Sequence, residues 1–254
     1  MEELIAVLGE IKALFNRSLS ELSIDCVVFG FHDEQLKVLL LRAKGTENAW
    51  VLPGGWILKT EHLEDAAYRI LKDRTGLDSI FLQQFYTFGA NNRYNGKEIM
   101  ARLGLPPEEN FFPERAVSVG YYALVEYSLV EPKMDVMTEE CRWWDLNEIP
   151  ELLFDHNEIV SRALKALRKQ FDHEALGFNL LPEKFTLIEL QRLYETILGL
   201  EKDKLDRRNF QKKMLSYGFL ERQEERKTGG AHKAPYLYRF NPEKYAAYLR
   251  EHES

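Results

Sequence analysis

Arg207, Arg208 and Asn209, followed by Gln211, Lys212 and Lys213, gather side chains suited to nucleic acid into one short run. Arginine reads guanine and asparagine reads adenine in the major groove, while lysine meets phosphate as a point charge. Phe210, Met214 and Leu215 interleave with them, so a helix over 206–215 can turn those three to a core and the polar group outward. Arg226 and Lys227, with His232 and Lys233, flank Gly229 and Gly230 as the basic tip of a hairpin would, placed to follow a phosphate backbone or enter a minor groove. From Lys204 to Arg239 there are ten Lys/Arg and four Asp/Glu, a local charge of +6 in a chain that totals −7. The plain alternative is a solvated charged helix beside a protein-binding hairpin. Basic charge and motif outline coincide, which favours nucleic acid.

These residues need a scaffold. Thr186 is placed to cap a helix in which Leu187, Leu190, Leu193, Tyr194, Ile197 and Leu198 recur at burial spacing, and Gly199 ends it. Helix, helix, then a hairpin returning through Tyr236 to Phe240 outlines a winged helix-turn-helix over residues 180–254. Residues 153–179 read as a linking helix with Asp155 as N-cap. Its apolar side is Ile159, Ala163, Ala166 and Leu167, and its basic side Arg162, Lys165, Arg168 and Lys169. Residues 1–152 read as a mixed α/β domain. An amphipathic helix over 2–15 precedes strands at Ile24–Phe31, Leu36–Leu41 and Trp50–Leu52. Further strands follow at Ile80–Phe88, Ala116–Tyr127 and Cys141–Trp144, and residues 89–113 read as an irregular insertion.

At 254 residues and 45% hydrophobic content the chain suits one large domain or two small ones, with enough apolar content for real cores. Cys26 and Cys141 lie far apart in apolar or aromatic settings and read as reduced, packed thiols. No run approaches a membrane span, and Met1-Glu2-Glu3-Leu4 lacks the basic start of a signal sequence. The expectation is a cytoplasmic protein with no membrane attachment.

The most patterned stretch lies in the first domain. Gly54 and Gly55 read as a sharp turn at the end of a strand. From Glu61 onward Leu63, Ala66, Ala67, Ile70 and Leu71 return at helical spacing, and Gly76 is placed to close the helix. Gly55, Glu61, Arg69, Leu71, Gly76 and Leu77 stand at the spacings of the Nudix box, which this stretch resembles. In that box three carboxylates on one helix face hold a divalent metal against a diphosphate. Here those positions are Ile70, Asp73 and Arg74, an apolar side chain and a cation where ligands are needed. The resemblance therefore implies the fold without the hydrolase centre: no catalytic residue, no metal and no cofactor.

The likeness continues through Leu153-Phe154-Asp155-His156, through Phe185-Thr186-Leu187-Ile188-Glu189-Leu190-Gln191 with Tyr194 and Glu195, and through Asp206-Arg207-Arg208-Asn209-Phe210 and Pro235-Tyr236-Leu237-Tyr238-Arg239. Together these resemble the Nudix-related transcriptional regulators, bacterial repressors that join a ligand-sensing Nudix domain to a winged helix. The resemblance implies a Nudix-type α/β/α sandwich with a C-terminal winged helix-turn-helix. It also implies a homodimer on a palindromic double-stranded DNA operator, and control of NAD metabolism or of sugar catabolism such as that of arabinose. The effector is then a sugar, a sugar phosphate or an ADP-ribose-like molecule. Trp56 and Tyr86 are the expected aromatic walls of its pocket, and Arg93, Arg115 and His156 the orienting polar groups. A different class, an active Nudix hydrolase of a nucleoside diphosphate derivative with an accessory nucleic-acid-binding domain, is disfavoured by the box. So is a pure protein-interaction module, by the basic helix.

Overall fold

The computed structural model describes residues 9–10, 13–77, 81–93, 95–103, 113, 115–131, 133–134, 137–173, 178–227 and 234–252. The chain falls into two compact units, Met1–Gly30 with Lys37–Ala166, and Phe31–Leu36 with Leu167–Ser254. The division falls inside the long helix expected as a linker, so each unit takes part of it.

The first unit is built on a sheet in which β1 (Ser18–His32), β2 (Gln35–Ala43), β3 (Trp50–Val51) and β4 (Gly54–Leu58) surround the box. Helix α1 (Leu63–Thr75) follows, then β5 (Phe81–Phe88), α2 (Gly96–Arg102), β6 (Val117–Glu126) and β7 (Thr138–Asp145). Strand β1 alternates Ile24, Cys26 and Val28 toward one face, where they pack on Ala66, Ala67, Ile70 and Leu71 of α1 and on Val119, Tyr121 and Ala123 of β6. Tyr122, from the opposite face of β6, has Phe29, Phe81 and Phe85 within about 6.3 Å between ring centres. The sheet is thus buried on both sides, which explains the near-continuous apolar runs of β1 and β6. Cys26 and Cys141 are free thiols, and burial pushes both upward in pKa, Cys141 to about 12.

Two expectations change. Gly54 and Gly55 form no turn; they lie in β4, paired antiparallel with Asp25 and Ile24. A Cβ at Gly54 would come within 2.8 Å of Asp25 Oδ1 and of the Ile24 carbonyl, so glycine serves a close approach of strands, not a left-handed bend. The 89–113 insertion contains a helix, α2, whose N-cap Asn95 accepts the Lys97 N–H; residues 104–112 lie outside the described residues. The helix expected over 2–15 falls mostly outside them too, with 13–17 helical before β1. As expected, Gly76 ends α1 with φ of 76°.

Helix α3 (His156–His173) leads to the second unit, made of β8 (Lys184–Phe185), α4 (Leu187–Leu198), α5 (Arg207–Ser216), β9 (Leu220–Arg226), β10 (Tyr236–Phe240) and α6 (Pro242–His252). Thr186 and Glu189 form a reciprocal capping box at the start of α4, and Gly199 ends it in the left-handed region. The sheet runs β8-β10-β9, the arrangement of a winged helix. Strand β8 and helix α6 complete it and carried no clear sequence signal, β8 because it has only two residues. No helix among the described residues is long and apolar enough to cross a membrane.

Candidate functional site

Glu61 and Arg69 stand at the head of the box helix and close on each other. Arg69 donates from Nη2 to Glu61 Oε1 at 2.6 Å and from Nε to Oε2 at 2.8 Å, and Glu61 also accepts the Leu58 N–H at 2.7 Å. The guanidinium and that amide hold the Glu61 carboxyl below its ordinary pKa. Arg69 also donates to the Trp56 carbonyl at 3.1 Å, so the pair fastens α1 to strand β4 before it. Ile70 is buried over Gly55, and Asp73 projects outward with 64% of its side chain exposed. These groups do not fit a divalent metal, which requires several oxygen ligands. Among the described residues no group of three or more His, Cys, Asp or Glu is placed to hold one.

Beside this head lies a cleft. Val51, Leu52, Leu103, Met137, Leu153 and Phe154 give it an apolar wall, with Trp56, Gly54 and Gly55 along another side. Ser23, Asp25, Arg93, Thr138 and His156 supply its polar groups. Arg93 donates to both oxygens of Asp155, at 2.7 and 2.8 Å, and reaches Asp25 at 3.4 Å with only 5% of its side chain exposed. Ser118 donates to Asp25 Oδ2 at 2.5 Å. His156 Nδ1 accepts the Leu52 N–H at 3.0 Å, which leaves the ring proton on Nε2, facing Asp25 Oδ1 at 3.4 Å. Burial alone would raise the Asp25 carboxyl; His156, Ser118 and Arg93 outweigh it and bring it down to about 2. Phe154, just before this polar pair, has φ of +59° and packs its ring on His156 at 5.0 Å. A non-glycine residue in that region is strained, and such strain collects at functional sites.

The second unit presents a different surface. Asp206 accepts the Asn209 N–H and caps α5. Phe210 and Met214 are buried, whereas Arg207, Arg208, Asn209, Lys212 and Lys213 are exposed and Gln211 is half-buried. None of the four cations has an ion-pair partner among the described residues. Leu215 is 43% exposed, not turned to the core as its type suggests, because it sits one residue, about 100°, round from Met214. The described residues of the wing sheet and its neighbours are more balanced in charge. Lys227 pairs with Glu189 at 2.5 Å, Lys184 with Glu225 at 2.7 Å and Lys244 with Glu221 at 2.8 Å. Arg226 and Arg222 stack on the ring of Tyr236 at 3.9 and 4.7 Å. His232 and Lys233 lie outside the described residues.

The NUDIX domain family model matches residues 20–167, and the model of the NrtR DNA-binding winged helix domain matches residues 177–240. The chain belongs to the NrtR family of Nudix-related transcriptional regulators. It is 29% identical over 245 residues to the ADPR responsive transcriptional repressor NtrR of Acinetobacter baylyi, covering 91% of this chain and 89% of that one. The crystal structure of Shewanella oneidensis NrtR complexed with a 27mer DNA superposes with a TM-score of 0.71 at 27% identity, over 89% of this chain and 95% of that one. An ADP-ribose pyrophosphatase of Methanocaldococcus jannaschii is 25% identical over 140 residues, 54% of this chain and 72% of the pyrophosphatase. The Acinetobacter baylyi and Shewanella oneidensis relatives, matched along both domains, are regulators. With the degenerate box, this makes the chain an NrtR-type, ligand-responsive DNA-binding repressor whose Nudix domain is a sensor and not a hydrolase.

Of the side chains expected to meet an effector in this NrtR-family chain, the fold brings Trp56, Arg93 and His156 into one cleft. Tyr86 and Arg115 do not line it. Tyr86 is on the exposed side of β5, under the Arg162 guanidinium at 4.4 Å, and Arg115 donates to the Gly89 carbonyl at 3.3 Å. Sequence reasoning missed Asp25 and Ser118. Asp25 carries a usable signal, as a lone acid inside the apolar run Ile24–Phe29. Ser118 carries none, since a serine in a strand reads as ordinary.

Proposed function

We propose that the chain is a repressor that lets go of its operator when an ADP-ribose-type nucleotide enters the cleft of the first unit. The cleft itself carries this reading: an apolar wall suits the flat face of a base, and a buried set of hydrogen-bonding groups suits ribose hydroxyls. The effector named for the Acinetobacter baylyi relative supports the same class. DNA is addressed by Arg207, Arg208, Asn209, Gln211, Lys212 and Lys213 on α5, with Arg226 and Lys227 of the wing beside it. Two copies form a homodimer on a palindromic operator with half-sites about one helical turn, roughly 34 Å, apart. The protein works where that DNA is, in the cytoplasm.

The test is a melting and DNA-binding titration of the full chain with ADP-ribose, free pentoses and pentose phosphates. At a hundredfold excess over Kd a true effector stabilises the fold by about 2.7 kcal/mol. ADP-ribose is expected to raise the melting temperature and to weaken operator binding. A shift from pentoses alone, or a shift without any change in DNA affinity, overturns the assignment.

A further inference from the structure

Arg93 and His156 are the basic side chains among the described residues that line the cleft. The Arg93 charge faces two carboxylates, Asp155 at 2.7 Å and Asp25 at 3.4 Å, while the His156 ring accepts a backbone N–H at one nitrogen. Two carboxylates thus face the one guanidinium. Asp25 Oδ2 is held by Ser118 and approached by Arg93, whereas among the described residues Oδ1 has the long 3.4 Å approach of His156. Gly54 packs beside that oxygen, and any side chain there would stand 2.8 Å from it; glycine leaves room for the narrow edge by which the buried Asp25 lines the cleft. An anionic acceptor in the cleft lining invites hydroxyl donors and repels phosphate, since bringing like charges together is unfavourable.

Resting on the effector reading above, we propose that Asp25 selects the chemical class of the effector: an uncharged, multiply hydroxylated group enters the polar end, and phosphates stay toward the open mouth. For an ADP-ribose-type ligand this sets the orientation, terminal ribose inward and diphosphate outward. Sugar phosphates that place their phosphate at the polar end are turned away.

Matched ligands test this on the full-length protein by calorimetry. ADP-ribose and ADP-ribose 1″-phosphate differ by one phosphate on the terminal ribose, and ribose and ribose 5-phosphate form a second pair. The wild type is expected to bind the phosphorylated member of a pair about tenfold or more weakly. Asp25→Asn should narrow that ratio. Asp155→Asn, which frees Arg93 without touching Asp25, should narrow it too and keeps the test open if the first variant folds poorly. Equal binding of both members by the wild type, or a ratio unchanged in both variants, overturns the selection by Asp25. If ADP-ribose is silent while the ribose pair discriminates, the effector reading fails and the charge rule stands. Silence from all four compounds overturns both.

Discussion

At the scale of single residues, Asp25 and its partners dominate. Its folded pKa of about 2 lies below the ordinary 3.8, so the carboxylate contributes stability above about pH 4 that is lost as pH falls toward 2. The shift corresponds to about 2 kcal/mol. Acid unfolding of the wild type and of Asp25→Asn, followed by circular dichroism, should show this: the wild type loses more stability between about pH 5 and about pH 2. Parallel curves would mean that Asp25 is not held low. Gly54 has an equally direct test. Because an added Cβ meets a backbone carbonyl at 2.8 Å, Gly54→Ala should destabilise by about 1–3 kcal/mol in urea titration, while Gly45→Ala, with open space around it, should lose only the strain of its positive φ. Ile70 decides the chemistry of the box. Buried in the apolar core, it offers no oxygen to a metal, so magnesium-dependent turnover of ADP-ribose should not exceed background. Product formation that disappears in Glu61→Ala would contradict this.

At the scale of elements, the DNA-binding reading proposed above divides α5 between two kinds of contact. Its N-terminal residues Arg207, Arg208 and Asn209 are exposed just past the Asp206 cap, the place from which a recognition helix reads base edges. Lys212 and Lys213 follow a turn later, where phosphates are the nearer partners. Arg208→Ala or Asn209→Ala should weaken operator binding by about 1–3 kcal/mol and relax sequence preference. Lys213→Ala should weaken all sequences alike and flatten the salt dependence by about one unit of slope. Gel shifts at several salt concentrations distinguish the two, and wild-type behaviour in every variant would displace the recognition helix from α5. In the described part of the wing sheet, Lys227 and Lys184 already face Glu189 and Glu225. Exposed pairs of this kind contribute little to stability, but they cancel local charge.

At the scale of the whole molecule, sensing and DNA binding are linked by free energy, and the linkage is reciprocal. If the effector weakens operator binding by some factor, saturating operator DNA must weaken effector binding by the same factor. Calorimetric titration of ADP-ribose into free protein and into the protein–operator complex measures both sides. Unequal factors at equilibrium would show that more than these two ligands is involved. Loss of hydrolysis suits such a device, since a sensor that consumed its signal would report the rate of turnover and not the ligand's concentration.

The architecture was legible in the amino-acid sequence because it rests on local signals. The period of Ala66, Ala67, Ile70 and Leu71, the Thr186 cap and the terminal Gly76 and Gly199 each act within a few residues, and the box spacing follows from the helix that carries it. The identities of Ile70 and Arg74 were enough to remove the metal site, since neither side chain offers a carboxylate oxygen whatever the fold around it. Only the tertiary structure could decide the cleft. Asp25, Arg93, Ser118 and Asp155 are separated by up to 130 residues, and their pairing depends on strands that meet across the sheet and on a strained turn at Phe154. The same holds for Gly54, whose reason lies on a neighbouring strand, and for the wing lysines, whose charge is met by acids from other elements. Helix periods and caps are written over a few neighbours in the chain; burial, charge pairing and close approach are settled between elements distant along it.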